Sequence, residues 1–526
     1  MSAIRAILCF ILAALSAPLA AREVVNATEA SDVAVTIYRA PYGSFDKDDP
    51  RGFAMISETR TVTLPPGESR IRFEGVAEGM IAVSAIVAGL PGGAIEKNRN
   101  ASLLSPASLV DGTLGNRVTI TRTNPATGKE ESEQAIVRTR ADGGLVLQTS
   151  QGFEAVRCSG LPERLEFDSI PAGLSAKPVF SIDTQDETGG TYEVTLTYLS
   201  WGFDWQAHYV TTLMDGGRRG RQSARMLSWL TLVNDNAQSF ENAELLVVAG
   251  TLNVESDFEE LAQPPRSNPL RLTCWPRGNT AAGTSLAPPP PPPPPPATMR
   301  SDTIVVTGSR MVAESFQSAS PIAVLAGEEN LGDLKLFRVP EPVTVSAKGL
   351  KQVAFLNKDK VRGELIYEAY CAFGKHDDRS SYDAATLIFA TENDEKHGLG
   401  VSLPSGGVTV FEPSAMGDLL IGEDDIRDYP IGQEVEVSLG ESGKVFQTCV
   451  YTGKADERRD GLWREVKVRM TNSGSQAAQM RLELGYPEDI DVRRVRGLKL
   501  RNGLRIIETK ILPGQERELT LWVHQK

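Results

Sequence analysis

Four histidines, His208, His376, His397 and His524, are the only imidazoles in 526 residues. Acid–base or metal chemistry near neutral pH therefore has few places to sit. His208 falls in an aromatic run, where a satisfied core or sheet-edge histidine competes with a catalytic one. His376-Asp377-Asp378 sets an imidazole beside two carboxylates. One histidine with two adjacent acids lacks the spread of ligands a metal requires. Glu423-Asp424-Asp425 has the composition of a calcium loop without its alternating acids and its placed glycine, and reads as a solvated loop. No Gly-x-Ser-x-Gly elbow, His-Glu-x-x-His pair or phosphate-cradling loop occurs. The two carboxylates of a glycosidase leave no local signature, because they can come from distant strands. The residues thus assign no catalytic group, no cofactor and no metal. A non-enzymatic chain is the main reading, and an enzyme acting on glycans or peptides is the alternative.

Cysteine usage adds a covalent constraint. Cys9 lies in the N-terminal apolar run, leaving Cys158, Cys274, Cys371 and Cys449. Four cysteines allow up to two disulfides in three connectivities, and none has Cys-x-x-Cys spacing. The preferred pair is Cys371 with Cys449, which flank one candidate domain. Buried free thiols are the competing reading.

Two further groups of side chains offer surfaces. Trp201, Phe203, Trp205 and Tyr209 share one side of an extended strand by alternation. They form either a sugar-stacking platform or the core between two sheets, where aromatics dominate. Arg493, Arg494, Arg496, Lys499, Arg501 and Arg505 form a basic cluster in a chain of net charge −13. It would meet phosphates or an acidic partner, or be a solvated strand face.

The elements that position these residues begin with an export signal. Arg5 precedes the apolar run 6–15, which is too short to span a bilayer, and small residues follow at 16–21. Residues 1–21 are expected to be a signal peptide, so the mature chain is secreted across the inner membrane into the periplasm or to the outer membrane. It would be peripheral to a membrane at most. Removing 21 residues from 526 leaves 505, enough for several domains, and its acidity argues against nucleic acid as a partner.

Alternation with period two runs through most of the chain: Val33 to Tyr38, Arg60 to Leu64 and Ser69 to Glu74 around Pro65-Pro66-Gly67, then Arg117 to Thr121 and Thr191 to Tyr198. Long helical periodicity is absent. The fold class is all-β, with several small β-sandwich or barrel-like domains and a disordered Pro-rich insertion. The expected units are an N-terminal β domain over 22–105, a small barrel or meander over 106–175, and a central β domain over 176–263 with 331–362. The Pro-rich insertion occupies 264–330, and a C-terminal β-sandwich covers 363–526.

Nine consecutive prolines, Pro288 to Pro296, sit within that insertion. Without backbone donors they make a semi-rigid polyproline II spacer of roughly 28 Å. Asp302 to Arg310 follows, with the β-branched core Thr303-Ile304-Val305-Val306-Thr307. Such a strand can add to the exposed sheet edge of a partner.

Two resemblances are carried by quoted residues. Tyr198-Leu199-Ser200-Trp201-Gly202-Phe203-Asp204-Trp205-Gln206-Ala207-His208-Tyr209 resembles the central motif of a mucoidy-inhibitor-like bacterial family whose C-terminal region is a domain of unknown function. Phe240-Glu241-Asn242-Ala243, Leu336 to Thr344 and Lys351 to Leu356 extend the likeness, which covers most of 30–526. The chain lacks that family's long coiled-coil insertion, and the family implies no reaction. Asp302 to Arg310 with Ser320 to Leu325 resembles the start of TonB-dependent outer-membrane receptors, where such a stretch holds the energy-coupling box. The likeness implies partner binding through Ile304, Val305, Val306 and Thr307, the partner being an envelope protein such as TonB. The expected function is a secreted cell-envelope protein of binding or assembly type.

Overall fold

The computed structural model describes residues 22–262 and 325–526, apart from 42–44, 100–102, 125, 140–144, 157–162, 172–173, 215–220, 251, 254, 374, 377–381 and 459–460. The signal-peptide residues, Cys158, Cys274, the proline run and Ile304 to Thr307 lie outside the described residues. The chain is all-β. Among the described residues the helices are Pro106–Gly112 and Phe258–Ala262, and no helix is long and apolar enough to cross a membrane. Pro106–Gly112 starts where Ser105 caps the helix and Pro106 presets its first turn.

Pro65-Pro66-Gly67 separates two strands, as its residues require, but the strands join different sheets. Gly52–Leu64 pairs antiparallel with Asp32–Tyr38 on one side and Gly190–Met214 on the other. Gly67–Glu74 instead pairs with Glu23–Asn26 and Val179–Asp186 in a four-stranded sheet. The turn is a corner between layers, and Gly67, at φ 111°, supplies a conformation other residues resist. Ile71, Phe73, Phe180 and Ile182 of the small sheet share one core with Val62, Leu64, Val194 and Leu196 of the large one. This is the face-to-face packing of a sandwich.

Residues 117–166 form a five-stranded antiparallel sheet in the order Gly152–Ala155, Val146–Thr149, Glu130–Val137, Arg117–Thr123, Glu163–Glu166. Its first four strands follow one another as neighbours and Glu163–Glu166 returns beside Arg117–Thr123, over a core of Val118, Ile120, Val137 and Leu147.

The main core runs from Val35 to Leu439. It draws on segments that the sequence reading places in the N-terminal, central and C-terminal units. The reason is the 25-residue strand Gly190–Met214, which pairs with Gly52–Leu64 along its first half and with Arg221–Asn234 along its second. A third core, from Ala369 to Val523, fills the C-terminal part. Two long strands connect these cores. Gly349–Tyr370 pairs first with Arg221–Asn234, then with Asp383–Glu392 and Ala478–Gly485. Glu434–Arg458 pairs first with Asp383–Glu392 and then with Gly461–Asn472.

Candidate functional site: a charged sheet face with two clefts

Where the long strands pass between cores, register gathers charge on one face. Directly opposed residues of paired strands share a face, and so do residues i and i+2. Glu364 opposes Arg221 and Ala390, Ala390 opposes Glu436, and Glu392 opposes Glu434. Glu368 opposes Arg481, and Tyr370 opposes Glu483. Six glutamates thus stand together: Glu364, Glu368, Glu392, Glu434, Glu436 and Glu483.

Like charges at such spacing need cations between them. Arg481, whose side chain is 2 % exposed, lies 3.0 Å from Glu368 and 2.6 Å from Glu436. Arg501 reaches Glu436 at 2.8 Å and Glu434 at 2.5 Å. Burial opposes ionisation of Glu436, but the guanidinium hydrogen bonds of Arg501 and Arg481 outweigh it and hold its carboxyl below the usual range. Among the described residues Glu483 receives no such bond. Burial, reinforced by the Glu368 charge, pushes its carboxyl up.

Two clefts open on this face. The larger, about 970 Å³, is lined by Arg221, Lys360, Arg362, Glu364, Glu392 and His397 among others. The smaller, about 420 Å³, is lined by Glu368, Tyr370, Asp383, Thr386, Gln447 and Glu483 with two alanines. Glu392 and His397 of the larger cleft, with neighbouring Asp394, bring ligand atoms within 4.8 Å of one another. Asp394 Oδ1 already takes the backbone N–H of His397 at 2.7 Å and meets its Nδ1 at 2.7 Å. Those are the bonds of a local turn, and they account for the grouping without a metal.

The residues singled out from sequence are placed as follows. Cys371 and Cys449 form a disulfide with Cα atoms 5.6 Å apart, inside the C-terminal core. His208 is exposed, with Nε2 3.2 Å from Thr409 Oγ1. Phe203, Trp205 and Tyr209 are fully buried, and Trp205 Nε1 donates to the Val248 carbonyl at 3.1 Å while Tyr209 donates to that of Pro404 at 2.6 Å. The platform reading therefore fails for them; they are core. Glu423, Asp424 and Asp425 sit in the strand Gly417–Ile426, not in a loop, and Asp424 accepts from the Ser438 N–H at 2.6 Å. Lys375–His376 is a short strand beside Val450 and Tyr451.

The basic cluster is largely consumed internally. Arg493 pairs with Asp456 at 2.8 Å and stacks 4.1 Å over Trp463, and Arg494 stacks over Trp522. Arg505 pairs with Asp491, Lys499 with Glu508, and Arg501 joins the network above.

Sequence reasoning missed Glu368, Tyr370, Gln447 and Glu483. One signal was present: in Met480-Arg481-Leu482-Glu483-Leu484 the apolar residues enter the core, so the two charges must share the opposite face. Compared with models of protein families, with curated proteins and with solved structures, the chain matches none.

Proposed function

We propose that the protein is a cell-envelope binding or assembly protein, exported across the inner membrane, which offers the strand Ile304 to Thr307 to an envelope partner of the TonB kind. The observation that supports this reading lies at the base of the insertion. Phe240–Ala249, which precedes it, pairs directly with Leu334–Arg338, which follows it, Ala249 opposite Lys335. The strands that precede and follow the insertion in sequence are thus hydrogen-bonded to each other, as at the base of an inserted segment. Gly327–Leu331 pairs with Leu334–Arg338 as a hairpin, so a clean removal ends before it.

The test compares the mature chain with a version lacking 286–324 for capture of the periplasmic domain of TonB, followed by titration with a synthetic 300–312 peptide. Capture lost on deletion, and competed by the peptide, is expected. Equal capture by both forms removes the docking role.

A second reading, an enzyme acting on envelope glycans or peptides, has one observation in its favour. Glu483, its carboxyl raised by burial, lines the same cleft as Glu368, which is ion-paired with Arg481. Carboxyls held in contrasting environments are the arrangement of an acid and its partner.

A further inference from the structure

The strand pairing of the N-terminal half recurs in the C-terminal half. In the first set, Asp32–Tyr38 pairs antiparallel with Gly52–Leu64, that strand with Gly190–Met214, and that in turn with Arg221–Asn234. Phe240–Ala249 then lies parallel to Asp32–Tyr38 and antiparallel to Val343–Val345, and Gly349–Tyr370 closes antiparallel on Arg221–Asn234. In the second set, the end of Gly349–Tyr370 pairs antiparallel with Asp383–Glu392, that strand with Glu434–Arg458, and that with Gly461–Asn472. Ala478–Gly485 then lies parallel to the same end of Gly349–Tyr370 and antiparallel to Leu504–Ile511, and Gln515–Gln525 closes antiparallel on Gly461–Asn472. Among the described residues seven strands thus recur in one order, a parallel pair included.

Few strand orders are stable, so order alone can recur without kinship. The likeness extends to single atoms at one corner. Asn234 and Asn472 each end the fourth strand of their set and are 1 % and 3 % exposed. Their Nδ2 atoms donate to the carbonyl four residues on, Gln238 at 2.9 Å and Gln476 at 2.8 Å. The same atoms reach the turn before the seventh strand, donating to Ser346 at 3.1 Å in the first set and to Leu512 at 3.4 Å in the second. Each Oδ1 accepts the N–H two residues on, from Asn236 at 3.0 Å and Gly474 at 2.9 Å. The intervening N–H groups, of Asp235 and Ser473, donate at 2.8 Å to the carbonyls of Gly202 and Lys444. The residue before the seventh strand takes a positive φ in both, Lys348 at 45° and Gly514 at 65°. Other side chains could satisfy the same carbonyls, so the shared asparagine is not forced by the fold.

We propose that the chain is two tandem copies of one seven-stranded module, sharing the strand Gly349–Tyr370, with Asn234 and Asn472 as the same clasp. Each clasp pins the corner after its fourth strand to the turn before its seventh. The repeat also locates the insertion. Residues 486–497 join Ala478–Gly485 to the hairpin of Leu498–Arg501 and Leu504–Ile511, whereas residues 250–326 precede the matching hairpin of Gly327–Leu331 and Leu334–Arg338. The Pro-rich sequence therefore lengthens a connection that the second module makes briefly. The proposal rests on neither docking nor hydrolysis.

The test uses the mature full chain, with amide hydrogen exchange read by mass spectrometry and urea unfolding. Asn234→Ala is expected to quicken exchange roughly tenfold or more at 235–239 and 346–348, and Asn472→Ala to do so at 473–477 and 512–514. A second variant replaces Ser473 to Ala477 with the sequence of Asp235 to Ser239 and keeps Asn472. Equivalent corners accept each other's residues, so its exchange at 512–514 and its urea midpoint are expected to match the parent. A third carries the same five residues in reverse order and is expected to lose protection as Asn472→Ala does. The proposal is overturned if the transplant loses as much protection as Asn472→Ala, or if either alanine variant leaves its turn before the seventh strand unchanged. Where an alanine variant does not fold, the transplant against its reversed form decides.

Discussion

Asp204 is a buried carboxyl in the strand Gly190–Met214, 1 % exposed, and its Oδ1 accepts the backbone N–H of Trp205 at 2.8 Å and of Ala40 at 3.0 Å. Among the described residues its Oδ2 has no hydrogen-bond partner. Burial dominates, and the carboxyl is pushed up from 3.8 to about 6 against those hydrogen bonds. The folded chain therefore holds a proton here that the unfolded chain has lost between about pH 4 and 6. Stability from this group is fully present below pH 4 and declines as pH rises through 6. A shift of about 2 units corresponds to about 3 kcal/mol. Asp204→Asn keeps the Oδ1 acceptor and cannot ionise. Relative to the parent, it is expected to be equal within about 1 kcal/mol at pH 4.5 and more stable by up to about 3 kcal/mol at pH 7.5. Urea unfolding of both proteins by tryptophan fluorescence at pH 4.5, 6 and 7.5 measures this. Taking the difference cancels the other carboxylates. A difference that does not change with pH, or that grows toward acid, refutes the reasoning.

Two further substitutions test the C-terminal half. The disulfide Cys371–Cys449 spans 78 residues of sequence, and losing that closure costs about 4.5 kcal/mol in the chain-entropy model; the double change to serine should lower the urea midpoint, and dithiothreitol should bring the parent to the same value. Arg481→Met leaves Glu368 without its guanidinium and Glu436 with Arg501 alone. A loss of about 3–5 kcal/mol is expected at neutral pH, shrinking below pH 4 as the glutamates protonate, and calorimetry over that range reads it.

The class of the fold was legible because period-two alternation survives in nearly every strand, from Asp32–Tyr38 to Gln515–Gln525. Partnering was not. Gly52–Leu64 and Gly67–Glu74 flank a tight turn yet enter different sheets, and nothing local to that turn distinguishes a hairpin from a corner. Strand length was legible only in part. Thr191 to Tyr198 and the aromatics from Trp201 to Tyr209 each read as extended chain, but not as one strand running to Met214 through a bulge between Trp201 and Phe203, where Gly202 takes φ 87°. That continuation is what turns three expected units into one core. The charged face was hidden for a related reason. Its glutamates lie on the Gly349–Tyr370, Asp383–Glu392, Glu434–Arg458 and Ala478–Gly485 strands, and only register shows that they converge.

The long strands tie the two clefts to one mechanical unit. Gly349–Tyr370 carries Lys360, Arg362 and Glu364 into the larger cleft and Glu368 and Tyr370 into the smaller. Within this stretch its backbone pairs continuously with Asp383–Glu392 from Glu364 to Glu368, which leaves no hinge between the clefts. Neighbouring parallel pairing to Ala478–Gly485 brings Arg481 under the same stretch, and that guanidinium joins Glu368 to Glu436 across three strands. A ligand that draws on Glu368 in the smaller cleft therefore competes with Arg481 for the same carboxylate. Weakening that ion pair shifts charge toward Glu436 and Glu434, at the edge of the larger cleft. Arg481 is thus the cation common to Glu368 of the smaller cleft and Glu434 of the larger.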